Sequence, residues 1–142
     1  MSLAFTLYMT GMIWSMQVFE YPLFAKVGFA EFPAYHAAHN HSLPLFVIVP
    51  SFLALVSAVV MFWRRPGNVP LWSVAIAVAL DLAVIVSTAA IQAPLHAKLD
   101  REGFSAQLIS ALVRSNWIRA ALWTANSLLF LALTAKCLSK SG

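Results

Sequence analysis

The 142-residue chain is 61% hydrophobic and only 10% charged, with a mean hydropathy of +0.81. A soluble domain coats its surface with roughly 25% charged residues, so this composition excludes a water-soluble globule, and the length allows a single domain over 1–142. The formal charge is +4, but the Lys and Arg residues fall in short segments between apolar runs, where lipid headgroups account for them and a nucleic-acid partner is not expected.

Four stretches reach the roughly 20 apolar residues that a spanning helix needs. The first runs from Leu3 to Phe19 and extends toward Phe24, with no charge before Glu20; no cleavable signal is expected there. The second covers Leu43 to Trp63, the third Val69 to Ala93 and the fourth Ile118 to Leu138. Alternating apolar and polar residues are absent, so helices are the predicted way of satisfying a backbone in lipid. Spans two and three are joined by the tight turn Arg64-Arg65-Pro66-Gly67-Asn68, flanked by the interfacial anchors Trp63 and Trp72. The two longer connections, Glu20 to Ser42 and Pro94 to Trp117, fall on the other face and read as partly helical. Ser105 is the predicted N-cap of a helix running into the fourth span.

The fold expected is an all-α integral membrane bundle of four transmembrane helices, with short amphipathic helices in its two longer loops. Both termini then share a side with Arg64, Arg65, Lys136 and Lys140, and Lys26, Lys98, Arg101 and Arg114 face them from the other side. The count is even; the adjacent Arg pair tips the termini toward the cytoplasm. Cys137 is alone, so neither an internal disulfide nor a CxxC site can form.

All four histidines and four carboxylates collect on the long-loop side. Histidine and carboxylate are ligands for zinc or non-haem iron, and histidine also suits copper. His36 and His39 share a helix face at a spacing of three, while His96 and Glu20 come from other helix ends. Bundle metal sites gather their ligands in this way. His36, His39, His96 and Glu20 are therefore the candidate ligands of a transition metal, with His41 outside; headgroup-facing histidines are the plain alternative. Haem is disfavoured, since no CxxCH is present.

Asp81, Thr88, Gln92 and His96 are spaced seven, four and four, on one helical stripe. An ionisable residue inside a span is expensive and faces a bundle interior, a partner or a cavity. The stripe predicts a polar track from Asp81 to the histidines, lined by Thr88 and Gln92. On the fourth span Asn116, Arg119 and Trp123 share a face. Glu20 is the predicted counter-charge of Arg119, with snorkelling to headgroups as the alternative. Asn116, Arg119 and Asp81 are candidate catalytic groups; Gln92, Thr88, Trp117 and Tyr35 are candidate substrate contacts.

The segments VFEYPLFAKVGFAEFPAYHAAHNH, IQAPLHAKLDREG and LVRSNWIRAALW carry a resemblance to a known family. Its more specific elements are Tyr21-Pro22 with Phe24, Tyr35-His36, Pro94-Leu95-His96, and Asn116-Trp117 with Arg119. They resemble the anthrone-oxygenase-like family of small four-helix bacterial membrane proteins. That resemblance implies a bacterial membrane location and, more weakly, oxygen insertion into polycyclic aromatic compounds. The leading expectation is a metal-dependent membrane oxidoreductase or oxygenase acting on a lipophilic aromatic or quinone-like substrate. The alternatives are a non-enzymatic accessory subunit, and a small carrier or ion-handling protein motivated by Asp81. A homo-oligomer or a larger membrane complex is compatible with each.

Overall fold

Four long helices account for nearly all of the structure, a computed structural model that describes residues 1–139. Helix α1 (2–24) is built from Ser2–Ser15, a wide π turn at Met16–Glu20, and Tyr21–Phe24. Helices α2 (Phe32–Arg64), α3 (Leu71–Glu102) and α4 (Ala106–Leu138) follow, and these three are long and apolar enough to cross a membrane. Lys140, counted above with the termini, lies outside the described residues.

Each helix packs on its chain neighbours, and α4 closes on α1. Buried Ala54, Ala58, Ala77 and Ala120 let the backbones approach, as small residues do in membrane bundles. Large apolar side chains point outward instead: Phe19, Phe52, Val86 and Leu128 are all more than half exposed. Thr6, Gln17, Asp81, Gln92, Asn116, Arg119 and Asn126 are buried inside. This inversion of a soluble protein's surface and core is what lipid as solvent selects.

The amphipathic helices expected in the longer loops are not separate pieces. Phe32–Leu43 continues directly into the second predicted span, and Ala93–Glu102 continues the third. A helix of 32 or 33 residues is about 48–50 Å long at 1.5 Å per residue, against a hydrocarbon core of about 30 Å. The surplus turns carry the histidine face, Phe32–Leu43 on α2 and Ala93–Glu102 on α3. The α3–α4 connection is a tight reversal at Gly103, whose φ of +74° is a left-handed value that favours glycine. Ser105 caps α4 as predicted, its Oγ accepting from the Leu108 amide at 3.4 Å.

Three π turns interrupt these helices at Met16–Glu20, Pro44–Ile48 and Thr88–Gln92. Each lies two residues before a proline: Pro22, Pro50 and Pro94. A helical proline lacks an N–H and presses its ring on the carbonyl four residues back. That carbonyl is at Val18, Phe46 or Ala90, the middle of each π turn, where the widened backbone gives the ring room. The Phe46 carbonyl accepts instead from the Tyr8 hydroxyl at 3.1 Å. Tyr8→Phe is expected to cost about 0.5–1.5 kcal/mol, read as a lower unfolding temperature in detergent; an unchanged midpoint would show that lipid or water serves the carbonyl equally well.

Candidate functional site

The end of α1, the surplus turns of α2 and α3, and the first half of α4 meet on the histidine face. From α2 come His36, His39 and Asn40, which share a face at offsets of three and four. From α3 come Gln92, His96 and Asp100 at successive fours, and from α1 come Glu20 and Tyr21. Arg119 enters from α4.

His36 and His96 meet as the sequence predicts, with 3.0 Å between His36 Nε2 and His96 Nδ1. His36 Nδ1 lies 2.7 Å from Asp100 Oδ1, and the Tyr21 hydroxyl lies 3.4 Å from His96 Nε2. An ionised carboxylate can only accept, so His36 Nδ1 carries a proton. With neutral imidazoles, His36 Nε2 then accepts from His96 Nδ1–H, and His96 Nε2 accepts from the Tyr21 O–H. Beyond Tyr21 stands Arg119, whose guanidinium interacts with the Tyr21 hydroxyl. Every donor in this chain points toward Asp100, which is fixed by Asn40 Nδ2 at 3.1 and 3.0 Å from its two oxygens. His36 is 1% exposed and the Asp100 side chain 47% exposed, so the chain runs from the interior to the surface.

His39 forms a parallel arrangement, its Nδ1 2.9 Å from Glu20 Oε1. Its ring stacks on those of His36 and His96, with centroids 6.2 and 5.5 Å away. Phe24 meets His36 and His39 edge-on. His39 Nε2 is buried without a hydrogen-bond partner.

These contacts bear on two expectations. Both ring nitrogens of His36 and of His96 are taken up by neighbours, leaving His39 Nε2 as the one imidazole nitrogen of the three without a partner. Among the described residues no group of three or more His, Cys, Asp or Glu side chains is placed to hold a metal ion. His36, His39, His96 and Glu20 are brought together as hydrogen-bond partners. Likewise, Glu20 is not the counter-charge of Arg119. It turns to His39, on the helix beside it, and among the described residues no carboxylate forms an ion pair with Arg119. Arg119 is 3% exposed and its Nε has no hydrogen-bond partner.

A cavity of about 290 Å³ opens beside this chain. Its polar lining is Tyr21, Asn40, Thr88, Gln92, His96, Asp100 and Arg119, and its apolar walls include Leu43, Val47 and Ile48. Thr88 and Gln92 line it as the stripe predicts. Gln92 donates to the Ser115 hydroxyl at 2.8 Å and leaves its Oε1 without a partner. A larger cavity of about 560 Å³, lined by residues such as Leu3, Phe5, Val60 and Leu133, lies toward the other end of the bundle, away from the histidines.

Other candidates sit elsewhere. Asp81 is buried outside the cavity lining, its Oδ1 accepting from Asn126 Nδ2 at 2.8 Å. The polar track therefore ends at Thr88, and Asp81 is a cross-link between α3 and α4. Asn116 is fully buried and donates to Gln17 Oε1 at 3.0 Å, which ties α4 to α1 away from the cavity lining. Trp117 is 51% exposed and meets Trp14 edge-on at 5.5 Å. Tyr35 is 40% exposed against Phe24. Neither aromatic residue lines the cavity, because each projects from the outward side of its helix. Tyr21, Asn40 and Asp100 belong to the site without having been singled out for it. The signal for two of them was in the sequence: Asn40 follows His36 by four residues, and Asp100 follows His96 by four.

Comparison with family models, with curated proteins and with solved structures finds no match.

Proposed function

We propose that this chain is a four-span membrane protein whose histidine face binds a lipophilic molecule through an acidic oxygen, as a phenol, an enol or a quinol. The observation that carries this reading is Arg119, a buried guanidinium on the cavity wall that no carboxylate among the described residues balances. An arginine stays charged at any accessible pH, and a buried unpaired charge is costly. A ligand oxygen that develops negative charge supplies the missing counter-charge. The apolar walls accept the remainder of the ligand, as in most small-molecule sites.

In this reading the residues divide the work. Arg119 donates to the ligand oxygen and stabilises it as an oxyanion. The proton released passes to the Tyr21 oxygen as Tyr21 gives its own to His96 Nε2. His96 Nδ1 then gives up its proton to His36 Nε2, and His36 Nδ1 to Asp100 at the surface. Gln92 Oε1 is a spare acceptor that orients a second ligand hydroxyl. Neutral imidazoles next to carboxylates are well suited to such transfer near neutral pH.

The resemblance to the anthrone-oxygenase-like family supports a reaction class for this site. A ring CH₂ activated by a neighbouring carbonyl loses a proton to become an electron-rich enolate. Dioxygen is the oxidant: one oxygen atom becomes the new ring carbonyl, the other leaves as water, and the substrate supplies all four electrons. The purified protein in lipid nanodiscs, given anthrone and dissolved oxygen, is expected to consume one O₂ per anthraquinone formed, faster than empty nanodiscs. Equal rates with and without protein would reject the oxygenase assignment while leaving the binding site to be tested by itself. The accessory-subunit reading draws on one observation, the direct Asp81–Asn126 bond in a packed core. The ion-handling reading loses its motive, because Asp81 does not face the cavity.

A further inference from the structure

Next to the polar cavity lies a second, almost wholly apolar space of about 330 Å³ between α2 and α3. Val47, Ile48, Thr88 and Ala93 line both spaces, so the two share a wall rather than lying at separate places in the bundle. The second space continues along α2 to Ser51 and Phe52 and along α3 to Val84, Ile85 and Ala89. Phe52 is 60% exposed and Ile48 50% exposed. These residues belong to the apolar stretch of each helix. Both helices carry their π turns beside the shared wall, at Pro44–Ile48 and Thr88–Gln92.

From this arrangement we infer that the α2–α3 groove is a lateral doorway and holds the apolar body of the same ligand whose oxygen meets Arg119 in the cavity. The inference rests on the proposed function and narrows its substrate class to amphiphiles, with a hydrogen-bonding oxygen at one end and an apolar body long enough to leave the cavity. Three observations favour one ligand across both spaces. The cavity alone is at the lower edge of the roughly 300–1,000 Å³ that small-molecule sites occupy, and the groove brings the site inside that range. Polarity is graded along the path, from Arg119, His96 and Gln92 to Thr88, and then to apolar side chains and the single hydroxyl of Ser51 near Val84 and Phe52. The groove also opens where a lipophilic molecule is most concentrated, in the bilayer, so the ligand need not cross the aqueous face.

Ala89, exposed on the groove wall, is the residue at which the doorway can be filled without touching Arg119, Tyr21 or His96. Two probes with the same head separate the two spaces: phenol, which the cavity alone accommodates, and 4-nonylphenol, which adds an apolar chain. Binding of each is measured in nanodiscs of fixed lipid composition, so that partitioning is the same for every variant. Ala89→Phe is expected to weaken 4-nonylphenol by about tenfold or more, the order set by steric and apolar discrimination in a pocket, and to leave phenol within about twofold. If Ala89→Phe does not fold, Ser51→Leu fills the same groove from α2, with the same result expected. An unchanged 4-nonylphenol affinity would overturn the inference and assign the groove to a bilayer acyl chain. Equal weakening of both probes would overturn it as well. Arg119→Gln distinguishes the failures: if it weakens both probes while Ala89→Phe weakens neither, the cavity stands and the doorway falls. If it weakens neither probe, or if neither binds the wild-type protein, both readings fall.

Discussion

A phenol bound beside Arg119 is expected to ionise at a pH where the same phenol in water keeps its proton. The cavity wall carries the buried Arg119 guanidinium, and a positive charge within about 4–6 Å lowers an acid's pKa by about 1–3 units. With 4-nitrophenol the phenolate is yellow, so the bound fraction can be titrated by absorbance in nanodiscs, against empty nanodiscs as the reference. The midpoint should fall by about one unit or more, which corresponds to at least about 1.4 kcal/mol of preference for the anion. The sign follows from the charge: binding tightens as pH rises toward the ordinary pKa of the phenol and levels off above it. Arg119→Gln should abolish the shift. His96→Phe, which removes the acceptor of the Tyr21 O–H, should abolish part of it. The same midpoint in Arg119→Gln and in the wild-type protein would end the case for Arg119 as the oxyanion partner.

Removing one member of the Asp81–Asn126 pair is expected to cost much more than removing both. Among the described residues Asn126 Nδ2 is the one side-chain donor to Asp81, and Asp81 Oδ2 has no hydrogen-bond partner. Asn126→Leu leaves the carboxyl wholly unsatisfied, at a cost of about 1–3 kcal/mol, visible as a lower unfolding midpoint in detergent. Adding Asp81→Leu should return the protein to within about 1 kcal/mol of wild type, because a satisfied interhelical hydrogen bond in a membrane bundle contributes only about 0.6 kcal/mol. Additive losses would show that each side chain has a separate partner. A neutral Asn126→Leu would show that Asp81 is satisfied by water.

Patterns local to one helix were legible in the sequence, and contacts chosen between helices were not. The apolar runs, the Arg64-Arg65 turn and the Ser105 cap follow from periodicity and capping chemistry within a few residues. The inward stripe of Asp81, Gln92 and His96 is equally local. Glu20 was a different problem. At the end of α1 it had Arg119 and His39 as rival partners, and which one it meets depends on how α1 and α2 are rotated about their axes. The π turns contribute to that rotation, and their trace in the sequence is only the prolines that follow them, Pro22, Pro50 and Pro94. The arrangement of the histidines was hidden for a related reason. Histidine spacing shows that rings share a face, but not whether their nitrogens converge on a common point or, as with His36 and His96, hydrogen-bond to each other.

The three π turns also make the site sensitive to chain length in a way that composition conceals. Each is one residue longer than the regular helical turn it replaces, and one residue is a rotation of about 100°. Deleting the surplus residue from Pro44–Ile48 would close it to a regular turn and leave His36, His39 and Asn40 facing Asp100 and His96. The same deletion in the regular turn between Asn40 and Pro44 would leave a helix of nearly the same length and hydropathy but swing His36, His39 and Asn40 as a block away from those partners. Where a residue is lost, and not only how many remain, decides whether a chain with these four apolar runs keeps the hydrogen-bond chain.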